Sequence, residues 1–100
     1  MACYFIAQIN IHDQDGYQKY LEGFNEVLDK FAGKVVAVDD EVEVLEGKWP
    51  FRRTVVIEFR DKAEARRWYD SEEYRKLMKY RRRASHSNII LVAGKDRSAA

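Results

Sequence analysis

A carboxylate in the middle of an apolar stretch is the first residue equipped to do chemistry. Glu58 lies among valine, isoleucine and phenylalanine in "RRTVVIEFRD", which predicts a buried strand over residues 52–60. A carboxylate buried without a partner is costly or takes up a proton. We therefore expect Glu58 to face a cleft, where it acts as a general base or, alternatively, as a salt-bridged rim residue.

A cation able to pair with Glu58 is predicted on the last helix. The apolar stripe of that helix includes Tyr74, and Arg81 occupies the same stripe two turns later, whereas Arg82 falls off it. Arg81 is therefore expected to lean inward and pair with Glu58. Arg53 is a second candidate for this pairing and is also a candidate ligand-binding residue. The predicted catalytic pair is Glu58 and Arg81, with the pairing inferred from face assignment alone.

Polar residues on strand one are predicted to line the same cleft. Gln8, Asn10 and His12 alternate along one face of that strand. Gln8 and Asn10 are candidate ligand-binding residues. His12, at the cleft mouth, is a candidate general base or ligand, or alternatively an exposed histidine at a strand–helix junction.

Three aromatic residues complete the set of candidate ligand-binding residues. Tyr20 lies on the buried stripe of helix one, and Trp68 and Tyr69 are neighbours on helix two. Core packing is the alternative for each of them. Because Trp68 and Tyr69 are adjacent on a helix, their side chains point in different directions. We expect one of Trp68 and Tyr69 to pack in the core and the other to line the cleft entrance.

The chain carries no recognisable metal or cofactor motif. Its two histidines, His12 and His86, are far apart in sequence, and His86 is expected in a loop. Cys3 is the single cysteine, so no internal disulfide forms. No glycine-rich phosphate loop occurs. We expect neither a metal nor a cofactor.

These residues must be positioned by elements in the order β-α-β-β-α-β. The predicted elements are strand one at 3–11, a helix from about Asp13 to Gly33, strand two at 34–47 either continuous or with a bend or bulge at Asp39-Asp40, strand three at 52–60, helical segments at 61–84 broken near Ser71, and strand four at 88–94. Gly33 suits a left-handed cap, and Gly23 indicates close helix packing. This order predicts a ferredoxin-like α+β fold, a four-stranded antiparallel sheet with its helices on one face. We expect one domain over residues 1–94 and a disordered polar tail at 95–100.

Helices on one face leave the other face of the sheet uncovered. Its residues are too apolar for plain solvation and too polar for a plain core. A cleft partly covered by a second copy of the chain fits this mixture. We therefore expect a homodimer that binds a small organic molecule.

Composition excludes several other partners. Lys and Arg total 18 against 17 for Asp and Glu, giving a net charge of +1. The basic stretch "RKLMKYRRR" is offset by the acidic stretch "DDEVEVLE", so nucleic-acid binding is not expected. No run approaches the ~20 apolar residues of a membrane span. With no basic leader at its N-terminus, the chain is expected to be cytoplasmic.

The stretches "LEG", "VVIEF" and "WYDSEEY", in that order, carry a resemblance to a known family. Over roughly residues 4–94 the chain resembles the domain of unknown function 1330 family. The resemblance implies a dimeric α/β barrel, in a superfamily that contains cofactor-free monooxygenases, haem-degrading enzymes, lactone isomerases and dehalogenation accessory proteins. The family usually has two glycines and an arginine after helix one, where this chain has Ala32, Gly33 and Lys34.

The resemblance leaves the activity open, since the family has no established reaction. One expectation is cofactor-independent acid–base or oxidative chemistry on a small molecule. The other is a non-catalytic ligand-binding or stress-associated accessory dimer. Whether the chain is an enzyme is not decided by its sequence.

Overall fold

The computed structural model describes residues 1–95. The elements are β1 (Cys3–Ile11), α1 (Gln14–Asp29), β2 (Lys34–Asp39), β3 (Arg53–Phe59), α2 (Lys62–Asp70), α3 (Glu72–Ala84) and β4 (Ser85–Ala93). The four strands form one antiparallel sheet in the order β2-β3-β1-β4. The predicted ferredoxin-like α+β fold is confirmed. The tail predicted at 95–100 lies, apart from Lys95, outside the described residues.

The two faces of the sheet differ because alternate side chains point to opposite sides of a strand. The helix face carries the buried residues of the core and is covered by all three helices; it includes Phe5, Ala7, Ile9, Val55, Ile57 and Ile89. The far face carries the mixed set; it includes Tyr4, Ile6, Gln8, Val56, Glu58 and Ile90. This division agrees with the faces predicted from the sequence.

The second helical region is two helices joined at one residue, as the sequence predicts. Ser71 has an extended backbone, with ψ of 150°, and ends α2 while starting α3. Its hydroxyl donates to the Trp68 carbonyl (2.8 Å) and accepts from the Tyr74 amide (3.1 Å). The Ser71 side chain therefore holds the break, because it caps the C-terminus of α2 and the N-terminus of α3. No helix within residues 1–95 is long and apolar enough to cross a membrane.

The second strand is shorter than its apolar pattern predicts. β2 ends at Asp39, whereas the alternating pattern continues to residue 47. The Asp39 carboxylate accepts from the Glu41 amide (2.8 Å), which turns the chain away from the sheet. β4 begins earlier than predicted, directly after α3, so His86 lies on a strand rather than in a loop.

The residue that ends α1 in a left-handed conformation is Ala32, with φ of 53°, and not the predicted Gly33. Gly33 is required for a different reason, namely space. A Cβ atom there would overlap the Leu28 side chain and lie 2.8 Å from Phe59 Cε1. At Gly23 a Cβ would lie 2.7 Å from Leu77 Cδ2, so the close packing predicted at that glycine is confirmed between α1 and α3.

One backbone carbonyl joins the start of α1 to the end of α3. The Ala84 carbonyl accepts hydrogen bonds from the His12 amide (2.9 Å) and the Asp13 amide (3.1 Å). Asp13 then caps α1 through its side chain, which accepts from the Gly16 amide (3.1 Å). This corner also holds the end of β1 and the start of β4.

Candidate functional site

A cavity of about 240 Å³ lies between α1 and the helix face of the sheet. We call it the helix-side cavity. Its lining residues are Phe5, Ala7, Ile9, Tyr17, Tyr20, Leu21, Phe24, Asn25, Val35, Val38, Arg53, Val55, Ile57, Arg81 and Ile89. Most of this lining is apolar, and a small number of polar groups converge on it, as in small-molecule sites.

The apolar wall on the helix side follows from the spacing of α1. Tyr17, Tyr20, Leu21 and Phe24 recur at intervals of three and four residues, so they share one face of the helix. That face packs against the sheet, but the small side chain of Ala7 on the central strand β1 leaves room opposite it. The cavity is thus bounded mainly by large side chains on α1 and mainly by small or branched side chains on the sheet.

Two arginines supply the polar groups at one end of the cavity. Ile9 on β1 pairs with Arg53 on β3 and with Ser87 on β4, so these three side chains share the helix face. Arg81 reaches this row from α3, where its Nη1 donates to Ser87 Oγ (2.6 Å). Arg81 is only 4% exposed, because it continues the buried stripe that starts at Tyr74.

Neither guanidinium is fully hydrogen-bonded. The Nε atoms of Arg53 and Arg81 are buried, and neither has a hydrogen-bond partner in the structure. Arg53 forms an ion pair with Asp40, whose side chain is 74% exposed, and its Cζ lies 5.8 Å from the centre of the Tyr17 ring. Burial alone would lower the pKa of Arg81, but the phenol oxygens of Tyr74 and Tyr20 more than offset this, and the group remains charged.

The phenols of the cavity are hydrogen-bond donors rather than bases. Tyr20 donates to or accepts from the Tyr74 hydroxyl at 2.8 Å, and burial holds the pKa of Tyr20 well above its ordinary value. Burial also raises the pKa of Tyr17, although Arg53 and Arg81 oppose the rise. Within residues 1–95, no carboxylate and no histidine lines this cavity.

Three of the predicted site residues meet at the helix-side cavity, and three others lie elsewhere on the sheet. Tyr20, Arg53 and Arg81 line the cavity. Glu58, Gln8 and Asn10 do not line it. On β1, Gln8 lies on the far face, where its Oε1 accepts from Asn88 Nδ2 at 3.4 Å, and Asn10, paired with His86, is exposed.

The predicted pairing of Glu58 with Arg81 is wrong, because the two residues lie on opposite sides of the sheet. Glu58 alternates with buried Ile57 and Phe59 and so faces away from the helices. Its carboxylate accepts a hydrogen bond from the Tyr4 hydroxyl (3.2 Å), which raises the pKa of Tyr4. The alternation in the sequence predicts the correct face for each residue, but a side chain from a helix packed on the helix face cannot reach the far face.

The two histidines that the sequence separates lie side by side. His12 follows β1, His86 lies on β4, and their ring centres are 5.2 Å apart because the strands are paired. Both are exposed. No group of three or more histidine, cysteine, aspartate or glutamate side chains suited to a metal ion occurs in the described part of the chain.

Trp68 and Tyr69 point in different directions, as predicted, and neither lines the helix-side cavity. Trp68 is fully buried in the core, with its ring centre 4.1 Å from that of Tyr74 and 5.0 Å from that of Phe5. Tyr69 is half-buried, and its ring centre lies 6.1 Å from that of Phe5. A role for Tyr69 at a cleft entrance stays a prediction.

Sequence reasoning missed the cavity residues that look like core residues. Tyr17 and Phe24 belong to the apolar stripe of α1, which predicts burial but does not distinguish a filled core from a cavity wall. Ser87 carries no signal of its own until the pairing of β4 places it beside Arg81. The large side chains of α1 opposite the small side chain of Ala7 are the feature that indicates incomplete packing between the helix and the sheet.

A comparison with known families decides what kind of protein this is. A family model described as a domain of unknown function (DUF1330) matches residues 2–95. The chain belongs to the DUF1330 family. No curated protein matches it.

Solved structures with the same fold share little sequence with this DUF1330 chain. RPA0582 from Rhodopseudomonas palustris, of unknown function, is 16% identical, with 95% of this chain and 83% of that one covered and a TM-score of 0.77. A dimeric ferredoxin-like protein of unknown function from Jannaschia sp. CCS1 is 7% identical, with coverages of 94% and 100% and a TM-score of 0.76. SnoaB from Streptomyces nogalater, described as a cofactor-independent oxygenase, is 16% identical, with coverages of 95% and 94% and a TM-score of 0.58.

Proposed function

We propose that this DUF1330 chain is a homodimeric protein that binds one small organic molecule in the helix-side cavity of each protomer. The observation that carries the proposal is the cavity itself, about 240 Å³ in volume, apolar over most of its lining and cationic at one end. An unfilled space of this kind forfeits packing energy, and ligand binding is a use that would account for its presence. The proposed ligand site is on the helix face, whereas the sequence predicts a cleft on the far face, which stays a prediction.

The far face supports the homodimer. A row of apolar side chains crosses all four strands of that face, in the order Ala37, Val56, Ile6 and Ile90. Ile90 is 57% exposed and neighbouring Val92 is 39% exposed. Such a row is costly in water and suits a self-complementary contact between two copies. The Jannaschia protein of the same fold is described as dimeric.

Cofactor-independent acid–base or oxidative chemistry is one use of this cavity. Two guanidiniums beside an apolar space would stabilise an enolate or phenolate, the form in which an organic molecule reacts with oxygen without a cofactor. Since the cavity lining within residues 1–95 has no carboxylate or histidine, a substrate would have to be acidic enough to ionise there. Catalytic roles for Glu58 and His12 remain a proposal that requires a second cleft on the far face.

Binding without catalysis is the alternative, and the same lining favours it. A general base must lie within hydrogen-bond reach of the proton that it removes. Among residues 1–95, the titratable groups that line the cavity are phenols, whose pKa burial raises, and guanidiniums. A ligand-binding or accessory dimer needs none of these to act as a base.

The experiment that tests the proposal begins with native mass spectrometry of freshly purified, unheated protein. A dimer is expected, and a discrete additional mass per protomer would be the ligand. A monomer would contradict the dimer, and the far-face argument would fail with it. Oxygen uptake with the released ligand then separates catalysis from binding.

Occupancy of the helix-side cavity is tested with two aromatic probes, 2-naphthoate and 2-naphthamide. Binding of either, followed by titration calorimetry, supports the proposal if Leu21→Trp abolishes it, because Leu21 lies at the partly open wall of the cavity and is 39% exposed. Leu45→Trp is the matched control, since Leu45 is 84% exposed and does not line the cavity. Failure of both probes to bind a folded dimer would contradict the proposed site.

A further inference from the structure

The cationic end of the helix-side cavity holds a positive charge that no described residue neutralises. Arg81 is 4% exposed, and its hydrogen-bond partner is the neutral hydroxyl of Ser87. None of the ion pairs found within residues 1–95 includes Arg81. A buried cation without a counter-charge is unfavourable, so such groups are usually paired.

The unpaired N–H groups show where a partner is missing. The Nε atoms of Arg53 and Arg81 are both buried and both lack an acceptor. Buried donors are nearly always hydrogen-bonded in folded proteins. A carboxylate accepts from a guanidinium in a forked geometry, and it supplies the charge and the acceptor atoms together.

The two guanidiniums flank the same part of the cavity. Arg53 and Ser87 lie on either side of Ile9 in the sheet, so their backbones are two strand spacings apart, about 10 Å. Arg81 is held at the Ser87 side, and Arg53 lies over the Tyr17 ring. Burial raises the pKa of Tyr17, and both arginines oppose the rise, which agrees with both charges lying close to one phenol.

From these contacts we infer that the ligand is a small organic monoanion, with a carboxylate or enolate oxygen at the Arg81 end and an apolar body along the rest of the cavity. The inference rests on the proposed function and adds the chemical class of the ligand. One negative charge is expected rather than two, because Arg53 is already paired with Asp40 and only Arg81 is unneutralised. The apolar body follows from the lining beyond the arginines, such as Phe24, Val35 and Ile57.

The test compares two probes of the same shape that differ in charge. By titration calorimetry, 2-naphthoate is expected to bind the wild-type protein about ten- to hundredfold more tightly than 2-naphthamide, since hydrogen bonds to a charged group are the strong ones. Arg81→Met should remove this preference and leave the two affinities similar. Arg82→Met is the matched control, because Arg82 is the next residue on α3 and is exposed.

The outcomes distinguish failure of the monoanion inference from failure of the proposed function. Equal affinity of the wild type for both probes would overturn the monoanion inference while leaving the cavity as a ligand site. Failure of both probes on a folded dimer would overturn the two together. A preference for 2-naphthoate that persists in Arg81→Met would also overturn the inference, and if that variant does not fold, the comparison of the two probes on the wild type still decides it.

Discussion

The hydroxyl groups of Tyr20 and Tyr74 lie 2.8 Å apart inside the core, although 54 residues separate them in sequence. This contact joins α1 to α3 behind the helix-side cavity. Tyr74 has a second polar neighbour in Arg81, whose charge opposes the burial that raises the pKa of Tyr74. Tyr20 is buried with Tyr74 as its hydrogen-bond partner.

Removing either hydroxyl should therefore have unequal effects. Tyr74→Phe leaves the Tyr20 hydroxyl buried without a partner and should lower the free energy of unfolding by about 1–3 kcal/mol. Tyr20→Phe leaves Tyr74 beside Arg81 and should cost about 1 kcal/mol. Urea denaturation measures both. In the double variant the cost should be smaller than the sum, and strict additivity would show that the two hydroxyls do not interact.

The buried phenols also predict a loss of stability in alkali. Burial raises the pKa of Tyr17, Tyr20 and Tyr74 above 10.0, the value of the unfolded chain. Their contribution is fully present below pH 10.0 and is lost as the pH rises from there through the folded pKa values, since the unfolded state releases protons first. Denaturation midpoints measured from pH 8 to 11 should fall above about pH 10.

Two phenylalanine variants make that measurement specific. Tyr20→Phe should flatten the fall, because it removes a phenol whose pKa burial holds well above its ordinary value. Tyr80→Phe is the control, since Tyr80 is 41% exposed and should leave the curve unchanged. If both variants follow the wild-type curve, the buried phenols are not its cause.

The end of α1 predicts opposite effects from two neighbouring substitutions. Ala32 has a strained left-handed backbone with φ of 53°. Ala32→Gly should therefore raise the free energy of unfolding by about 0.5–1 kcal/mol. Gly33→Ala should lower it by about 1–3 kcal/mol, because the new methyl group meets Leu28 and Phe59. Urea denaturation with unchanged m-values checks both, and a stabilising Gly33→Ala would contradict the close packing of Gly33 against Leu28 and Phe59.

The far face predicts a position at which the dimer can be disrupted. Ile90→Arg places a charge in the apolar row that crosses the sheet, next to Ile6, and should weaken self-association about a hundredfold or more. Light scattering during size-exclusion chromatography measures the loss of the dimer. Tyr80→Arg, an exposed aromatic on α3, is the matched control and should remain a dimer. A monomeric control would show that the helix layer, and not the far face, forms the contact.

The effect of a Glu58 substitution on ligand affinity tests whether Glu58 belongs to the ligand site. Because its carboxylate contacts Tyr4 on the far face, Glu58→Gln should leave 2-naphthoate affinity unchanged within about twofold, as expected for distant sites. Tyr4→Phe serves as a partner control, since it removes the same hydrogen bond without altering charge. A large loss of affinity in Glu58→Gln alone would return Glu58 to the ligand site and support its predicted catalytic role.

Most elements were predictable because each has a strong local signal, whereas the cavity has only a weak one, the large side chains of α1 opposite Ala7. The alternation around Glu58 and the stripe that includes Arg81 assign each residue to the correct face. Neither pattern reveals which side of the sheet is incompletely packed, since a cavity wall and a filled core use the same residue types, as Tyr17 shows. The contact between Arg81 and Ser87 depends on β4 beginning directly after α3, at Ser85, rather than at residue 88 as the sequence predicts.

The corner at the Ala84 carbonyl positions the charge of Arg81 independently of the residues that shape the apolar end of the cavity. Backbone hydrogen bonds from His12 and Asp13 fix this corner, and Arg81 leaves α3 one turn before it. Substitutions at Leu21 or Phe24 would reshape the apolar end without touching those bonds. Substitutions at the apolar end can therefore change the shape of the cavity while the position of Arg81 is kept, and a designer can alter the one without rebuilding the other.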